Sequence, residues 1–246
     1  MSVAAVLAAR CSAQSPDDLP VGKPRPVPAG ELTRAAAGKS NKGLPGHGYT
    51  DLYERYLVQW RDEPLRILEI GDPGGGSMVM WQEYFPRAKV YGIDINPFFI
   101  TESARVKTCN ANQVKREQLQ KCIEKFGTTF DLVIDNGGHT MEAQQVSLGF
   151  LFRHVRPGGY YAIEALHSSL PSIYPNFGVE PDESNSTLGM VNHFVHSAPA
   201  EFQSKYLTPD DGSYLAAQVE SVNLSFVNNQ GHSMLCLFKK RTAPGP

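Results

Sequence analysis

Three short runs in this chain gather residues that could do chemistry together. Leu68-Glu69-Ile70-Gly71-Asp72-Pro73-Gly74-Gly75-Gly76-Ser77 joins two carboxylates to a glycine-rich turn and a hydroxyl. Tyr91-Gly92-Ile93-Asp94 ends an apolar run on another carboxylate, and Asp135-Asn136-Gly137-Gly138-His139 sets an acid, an amide and an imidazole around two glycines. Glycines let a backbone approach a ligand and turn sharply into a helix. Asp94 is placed to accept hydrogen bonds from a ribose diol. His139 can take the proton of a hydroxyl, because a neutral imidazole titrates close to working pH.

The details of the glycine turn narrow the ligand. Gly71, Gly74, Gly75 and Gly76 fit no GxGxxG frame, and no Walker lysine follows them, so the phosphate-binding signatures are not met. Glu69 would sit poorly beside a pyrophosphate, yet it suits a cofactor bearing a sulfonium and an amine. The residues favour S-adenosylmethionine over NAD, with Glu69, Gly71, Gly75, Ser77 and Asp94 on the cofactor side. Asp135 is expected to hold the amino-acid end of the cofactor or a neighbouring loop.

Residues so far apart must be brought together by strand ends. Leu65–Ile70, Lys89–Ile93, Arg105–Cys109, Asp131–Ile134 and Tyr160–Glu164 read as strands, separated by helical patterns over Gly76–Tyr84, around Leu119–Phe126 and over Met141–His154. Such alternation implies right-handed crossovers and a parallel sheet, whose ligands bind beyond the carboxyl ends of the strands. Ala217–Val227 and Ser233–Lys239 are β-rich and flank Asn228-Asn229-Gln230-Gly231, which reads as a hairpin turn. The fold expected is α/β: a Rossmann-like, seven-stranded class I methyltransferase sheet, mostly parallel with a C-terminal antiparallel hairpin.

Ahead of the sheet, Tyr49–Trp60 spaces Leu52, Tyr53, Tyr56, Leu57 and Trp60 as the buried face of a helix. Residues 12–30 hold five prolines, so residues 1–40 are expected to be a mobile tail or late-ordering lid before one domain over 41–240. Residues 170–212, rich in proline and aromatics, are expected to be an irregular insertion forming an acceptor pocket or a subunit contact. The formal charge of −2 draws the fold toward neither nucleic acid nor an anionic membrane, and no apolar run would span a bilayer. Cys11, Cys109, Cys122 and Cys236 show no paired spacing and are expected to be free thiols in a reducing cytoplasm. Met1–Ser15 lacks a basic start and is broken by Arg10, so no secretory leader is expected.

A family resemblance adds to this reading. His47-Gly48-Tyr49, Leu68-Glu69-Ile70-Gly71, Met80-Trp81-Gln82-Glu83-Tyr84-Phe85-Pro86, Tyr91-Gly92-Ile93-Asp94-Ile95, Asp131-Leu132-Val133-Ile134-Asp135, Gly158-Gly159-Tyr160 through Ile163-Glu164 and His167-Ser168-Ser169 follow one another at family distances. Over roughly residues 46–178 the chain resembles the macrolide-sugar O-methyltransferases, including the demethylmacrocin and mycinamicin enzymes. The resemblance implies metal-assisted methyl transfer to a natural-product hydroxyl, with His139 as base, Glu164 beside it and Asn110 near the adenine end of the cofactor. It also implies a homo-oligomer, expected to be a dimer.

The family pattern reads Asp-Asp-Gly-Ser-His at the fourth strand and Glu-Asp at the fifth. Here Asn136 and Ala165 stand at two of the three positions that carry the magnesium carboxylates, and only Glu164 matches. Magnesium is therefore doubtful; Glu164 and Asn136 would be ligands only if a cation binds. Asn136, His167 and Tyr49 are expected on the substrate side. Two readings stand beside O-methylation: another chemistry on the same cofactor (methylation at nitrogen or carbon, or a rearrangement), and a non-catalytic cofactor-binding subunit.

Overall fold

The computed structural model describes residues 30–197, 202–227 and 233–242. Seven strands form one sheet: β1 (Arg66–Ile70), β2 (Lys89–Asp94), β3 (Val106–Asn110), β4 (Phe130–Asp135), β5 (Val155–Ile163), β6 (Val219–Phe226) and β7 (Met234–Lys240). Their order is β3-β2-β1-β4-β5-β7-β6, with β7 antiparallel to both β5 and β6 and the other pairs parallel. This is the expected architecture. The order reverses between β1 and β4, where open α/β sheets form their ligand crevice. Ile70 is level with Ile93 on one side and Asp135 on the other, so the residues after β1, β2 and β4 share one edge.

Alternation along the strands divides the core. Ile67 and Val90 face one layer with α1 (Glu31–Ala36), α2 (Tyr49–Leu57) and α3 (Gly76–Tyr84). Leu68, Ile70 and Ile93 face the other, with α4 (Arg116–Phe126), α5 (Met141–Leu151), α6 (Thr187–Ser197) and α7 (Pro209–Gln218). Glu69 shares the face of Ile67, so its side chain enters the layer of the N-terminal helices.

Three expectations are corrected. Residues 30–40 are not part of a mobile tail: Glu31–Ala36 is a helix that buries Leu32 and Ala36 completely or nearly so. Its two apolar positions, four apart, make a stripe sufficient to dock on α2 and α3, which outweighs the sparse composition around it. The expectation for residues 1–29 lies outside the described residues, as do Cys11 and the turn at 228–231.

The second correction concerns the thiols. Cys109 at the end of β3 and Cys122 on α4 form a disulfide, their Cα atoms 5.6 Å apart. The β3–α4 crossover folds the buried face of the helix back onto the strand it follows, bringing two cysteines 13 residues apart into bonding range. Cys236 is the free, buried cysteine among the described residues.

The third is that 170–212 is not irregular throughout, since α6 and the start of α7 lie within it. Pro209 occupies the first turn of α7, where its missing N–H costs nothing, and Thr208 and Asp211 cap that helix reciprocally.

Candidate active site

At the reversal point the strand ends enclose a cleft of about 450 Å³ whose wall includes Gly71, Asp94, Asn112, Gln113, Asn136 and Gly138. Gly71 has φ +90°, and a Cβ there would collide with the Asn136 carbonyl. Only glycine lets the β1 and β4 loops meet this closely. One oxygen of Asp94, Oδ1, accepts the Asn96 N–H at 2.7 Å. Oδ2 accepts no hydrogen bond among the described residues and is available to a ligand.

The N-terminus of α3 opens beside this cleft, and its charge is already answered. Asp72 Oδ2 accepts the backbone N–H groups of Ser77 (2.9 Å) and Met78 (3.1 Å) and the Ser77 hydroxyl (2.9 Å). A carboxylate thus occupies the donors that a pyrophosphate would need. The glycine turn belongs to a ligand without phosphates.

Two expected cofactor residues face the protein instead. Ser77 is nearly buried and shared between Asp72 and Glu69. Gly75 has φ +75°, and a Cβ there would meet the Ile100 side chain at 2.6 Å, so this glycine serves packing and does not border the cleft.

Glu69 is fully buried and needs no sulfonium to pair with. Its Oε1 accepts Ser77 Oγ (2.8 Å) and lies 2.9 Å from Lys42 Nζ, and its Oε2 accepts Trp81 Nε1 (2.9 Å). The same ammonium donates to Glu164 Oε2 at 2.7 Å, and the Tyr53 hydroxyl donates to Glu164 Oε1 at 2.7 Å. Lys42 and Glu69 are 0% exposed and Glu164 is 1% exposed. Burial alone would drive Lys42 down, but Glu164 and Glu69 hold it above the ordinary ammonium range. Burial pushes Glu69 up to about 7, against the pull of Lys42.

Glu164 was expected to act in catalysis; here both its oxygens are held inside the protein, by Lys42 and Tyr53. Tyr49 was expected to touch substrate but is 1% exposed. Its hydroxyl accepts the Ala165 N–H at 3.1 Å and donates to the Met234 carbonyl at 3.5 Å, so it fastens α2 to the ends of β5 and β7.

Asp135 is likewise internal. It accepts from Gln113 Nε2 (3.0 and 3.2 Å), Ser147 Oγ and the Gly137 N–H (3.2 Å), and Gln113 Oε1 accepts the Gly138 N–H (2.8 Å). Through Gly137 it is tied to the loop after β4. Asn110 is exposed and donates to the Asn96 carbonyl at 2.5 Å, steadying the loop after β2; the cleft wall beyond β3 is made by Ala111, Asn112 and Gln113. His167 is buried, its ring 5.1 Å from that of Tyr174, and it does not border the cleft.

His139 follows the two loop glycines with φ +55°, and its carbonyl accepts the Ser168 hydroxyl at 2.7 Å. Its Nδ1 is buried and without a hydrogen-bond partner. Burial lowers its pKa below the usual histidine value, while Asp135 and Glu164 pull the other way. The result is a neutral imidazole at neutral pH with an uncommitted nitrogen, which is what a base requires.

A magnesium ion does not fit these residues. Among the described residues no group of three His, Cys, Asp or Glu side chains could hold a metal. Both oxygens of Glu164 are engaged, one by a cation. A divalent ion about 4 Å from that ammonium would meet roughly 8 kcal/mol of repulsion at an effective dielectric near 20. The amide of Asn136 and the methyl of Ala165 bring no charge to offset it.

The sequence comparisons fit this geometry. The chain is 35% identical over 159 residues to the mycinamicin VI 2''-O-methyltransferase of Micromonospora griseorubida, covering 61% of this chain and 39% of that one. It is 36% identical over 176 residues to the demethylmacrocin O-methyltransferase of Streptomyces fradiae, covering 68% and 42%. The chain is related to the macrolide- and polyketide-sugar O-methyltransferases.

A sugar O-methyltransferase of Streptomyces olivaceus, the 8-demethyl-8-alpha-L-rhamnosyl tetracenomycin-C 2'-O-methyltransferase, aligns over 89% of this chain and 64% of its own length at 32% identity. The chain thus spans less than two thirds of each of these sugar O-methyltransferases. The MycE methyltransferase, solved in complex with Mg, SAH and mycinamycin VI, superposes with a TM-score of 0.69 at 27% identity, covering 89% of this chain and 56% of that one. The sheet is that of the class I methyltransferases. No family model matches the chain.

The residues that sequence reasoning missed are Lys42, Tyr53, Gln113 and the capping role of Asp72. A signal for the lysine existed: two glutamates at the ends of apolar strands require a buried cation, and Lys42 sits in a glycine-rich run beside the quoted His47-Gly48-Tyr49.

Proposed function

We propose that this chain is an S-adenosylmethionine-dependent O-methyltransferase acting on a hydroxyl of a small-molecule natural product, most naturally a sugar hydroxyl of a glycoside. The observation that carries it is the cleft with Asp94 on its wall and, on the opposite loop, Gly138 and Thr140 flanking His139, beside a helix N-terminus that Asp72 has closed to phosphate. The bound cofactor would supply an electrophilic methyl group on its sulfonium. Asp94 Oδ2 would accept from the ribose diol, and Asn136 with the Gly137–Gly138 backbone would border the transfer site. His139 would take the acceptor proton on its neutral imidazole. The fixed loops would align the reactants and exclude water, which is most of what methyl transfer asks of a protein.

Residues 170–212, carried on α6 and α7, would complete the acceptor pocket or reach a second subunit of a dimer. Light scattering at working concentrations tests the dimer, and a species near the 27.0 kDa of one chain would reject it. No nucleic-acid partner or membrane attachment belongs to this reading; no helix among the described residues is long and apolar enough to cross a membrane. A cytoplasmic site of action completes it, tested by cell fractionation.

The deciding experiment incubates the protein with methyl-labelled S-adenosylmethionine and a panel of deoxysugar glycosides, with their aglycones and a small RNA as controls. Label is expected on a sugar oxygen. Transfer to nitrogen, carbon or RNA, or saturable binding of NAD in place of S-adenosylmethionine, would overturn the reading.

A further inference from the structure

Lys42 is the fully buried ammonium at the centre of the site, and it belongs to a segment, Lys39–Gly48, that the fold has built around it. A Cβ on Gly76 would collide with the Lys39 carbonyl, so the first turn of α3 is cut away to let this segment lie against it. His47 Nδ1 lies 3.1 Å from Ser233 Oγ, and the His47 ring stacks on Tyr49 at 5.2 Å, which fixes the far end of the segment to β7. Between these anchors Lys42 reaches Glu69 and Glu164 at 2.9 and 2.7 Å, and Tyr53 takes the remaining oxygen of Glu164.

We infer that Lys42 is the resident cation of this site: its ammonium stands between the two strand-end glutamates, keeps a divalent ion from using either, and holds Glu164 behind the His139 loop as a positioning pair. The related MycE methyltransferase was solved in complex with Mg, whereas here a covalently attached cation holds both strand-end glutamates.

Several observations converge on this. The two carboxylates share one ammonium with no water-sized opening to it, since all three side chains are at most 1% exposed. A hard divalent ion needs open oxygen ligands and room for several waters. Glu69 is committed to Trp81 and Ser77 as well, so it cannot swing away to admit one. Ala165 adopts φ +54° without a side chain that could coordinate, and Asn136 presents only an amide.

The test reads metal binding directly and needs neither acceptor nor turnover, so it stands or falls apart from the methyltransferase reading. Mn²⁺ serves as the probe, with free ion followed by electron paramagnetic resonance on the whole chain, alone and with S-adenosylhomocysteine. The wild-type protein is expected to show no saturable site below millimolar Mn²⁺. One tightly bound Mn²⁺ per chain, lost in Glu164→Gln, would overturn the inference outright. Lys42→Met removes the ammonium from between two carboxylates and is expected to gain a Mn²⁺ site at least tenfold tighter than any in wild type. A folded Lys42→Met that gains none would show that the ammonium is not what keeps the ion out. Should Lys42→Met fail to fold, Lys42→Arg keeps the cation and is expected to match wild type; a Mn²⁺ site appearing in it would equally refute the assignment.

Discussion

The heads of β1 and β5 and the head of β2 lie along one edge of the sheet, yet their carboxylates meet opposite surroundings. Glu69 and Glu164 are roofed by Lys42, Tyr53 and Trp81 and spend their oxygens on protein donors. Asp94, on the cleft wall, keeps one oxygen unused. An acid at a strand end is therefore not by itself a ligand site. What decides is whether another segment of the chain delivers enough donors to saturate it. The segment around Lys42 does so at β1 and β5, and among the described residues no segment does so at β2.

The contrast makes measurable demands. Lys42→Met leaves two glutamates buried without their cation and is expected to cost about 3–5 kcal/mol of stability in urea unfolding. A loss below about 1 kcal/mol would erase the distinction between sealed and open regions. His139→Ala, on the open side, is expected to lower turnover at least about 100-fold, the low end of general-base catalysis, with little change in unfolding. Full activity in that variant would remove the base from the scheme. Asp94→Ala is expected to weaken S-adenosylmethionine by about 1.5–3 kcal/mol in calorimetry while leaving stability within about 1 kcal/mol. Equal losses in both assays would place Asp94 with the sealed carboxylates.

Smaller effects follow from protonation and backbone. Burial depresses the His139 pKa, so its neutral form persists below the ordinary histidine range. Turnover should be flat above neutrality and fall with acidification only below about pH 6.5, the unperturbed value. Because the folded protein refuses a proton that the unfolded chain accepts, stability should also decline as pH drops from that value toward the lower folded one. A turnover midpoint above 6.5 would contradict the burial argument. Ala165→Gly relieves an alanine held at φ +54° and is expected to change stability by about +0.5 kcal/mol in urea, since relief of strain is partly offset by a looser unfolded chain.

The sheet was legible because each strand is an apolar run between turn residues, and because strand–helix alternation restricts the topology. The site's location followed from that, for Gly71, Asp94 and Asn136 all stand at or just past strand ends. What stayed illegible was the pairing of side chains across the fold. Glu69 reads as a ligand until Lys42 is found beside it, and the glycine-rich run around that lysine does not say that its other partner is 122 residues away. The disulfide was hidden for a related reason: it depends on how a crossover folds back, which spacing does not encode. The helix α7 could have been read, since Thr208-Pro209-Asp210-Asp211 carries a cap and an N-terminal proline. The density of prolines around it obscured that signal.

The 122 residues between Lys42 and Glu164 also set an order of events during synthesis. At roughly 5–20 residues per second, the lysine waits about 6–24 s after it is made before its carboxylate exists. The Ser233 that anchors His47 comes later still. During that interval β1 to β4 are made one after another, but the anchors at the ends of β5 and β7 that fix the Lys42 segment are still missing. The segment made early is thus the one whose last anchors arrive late.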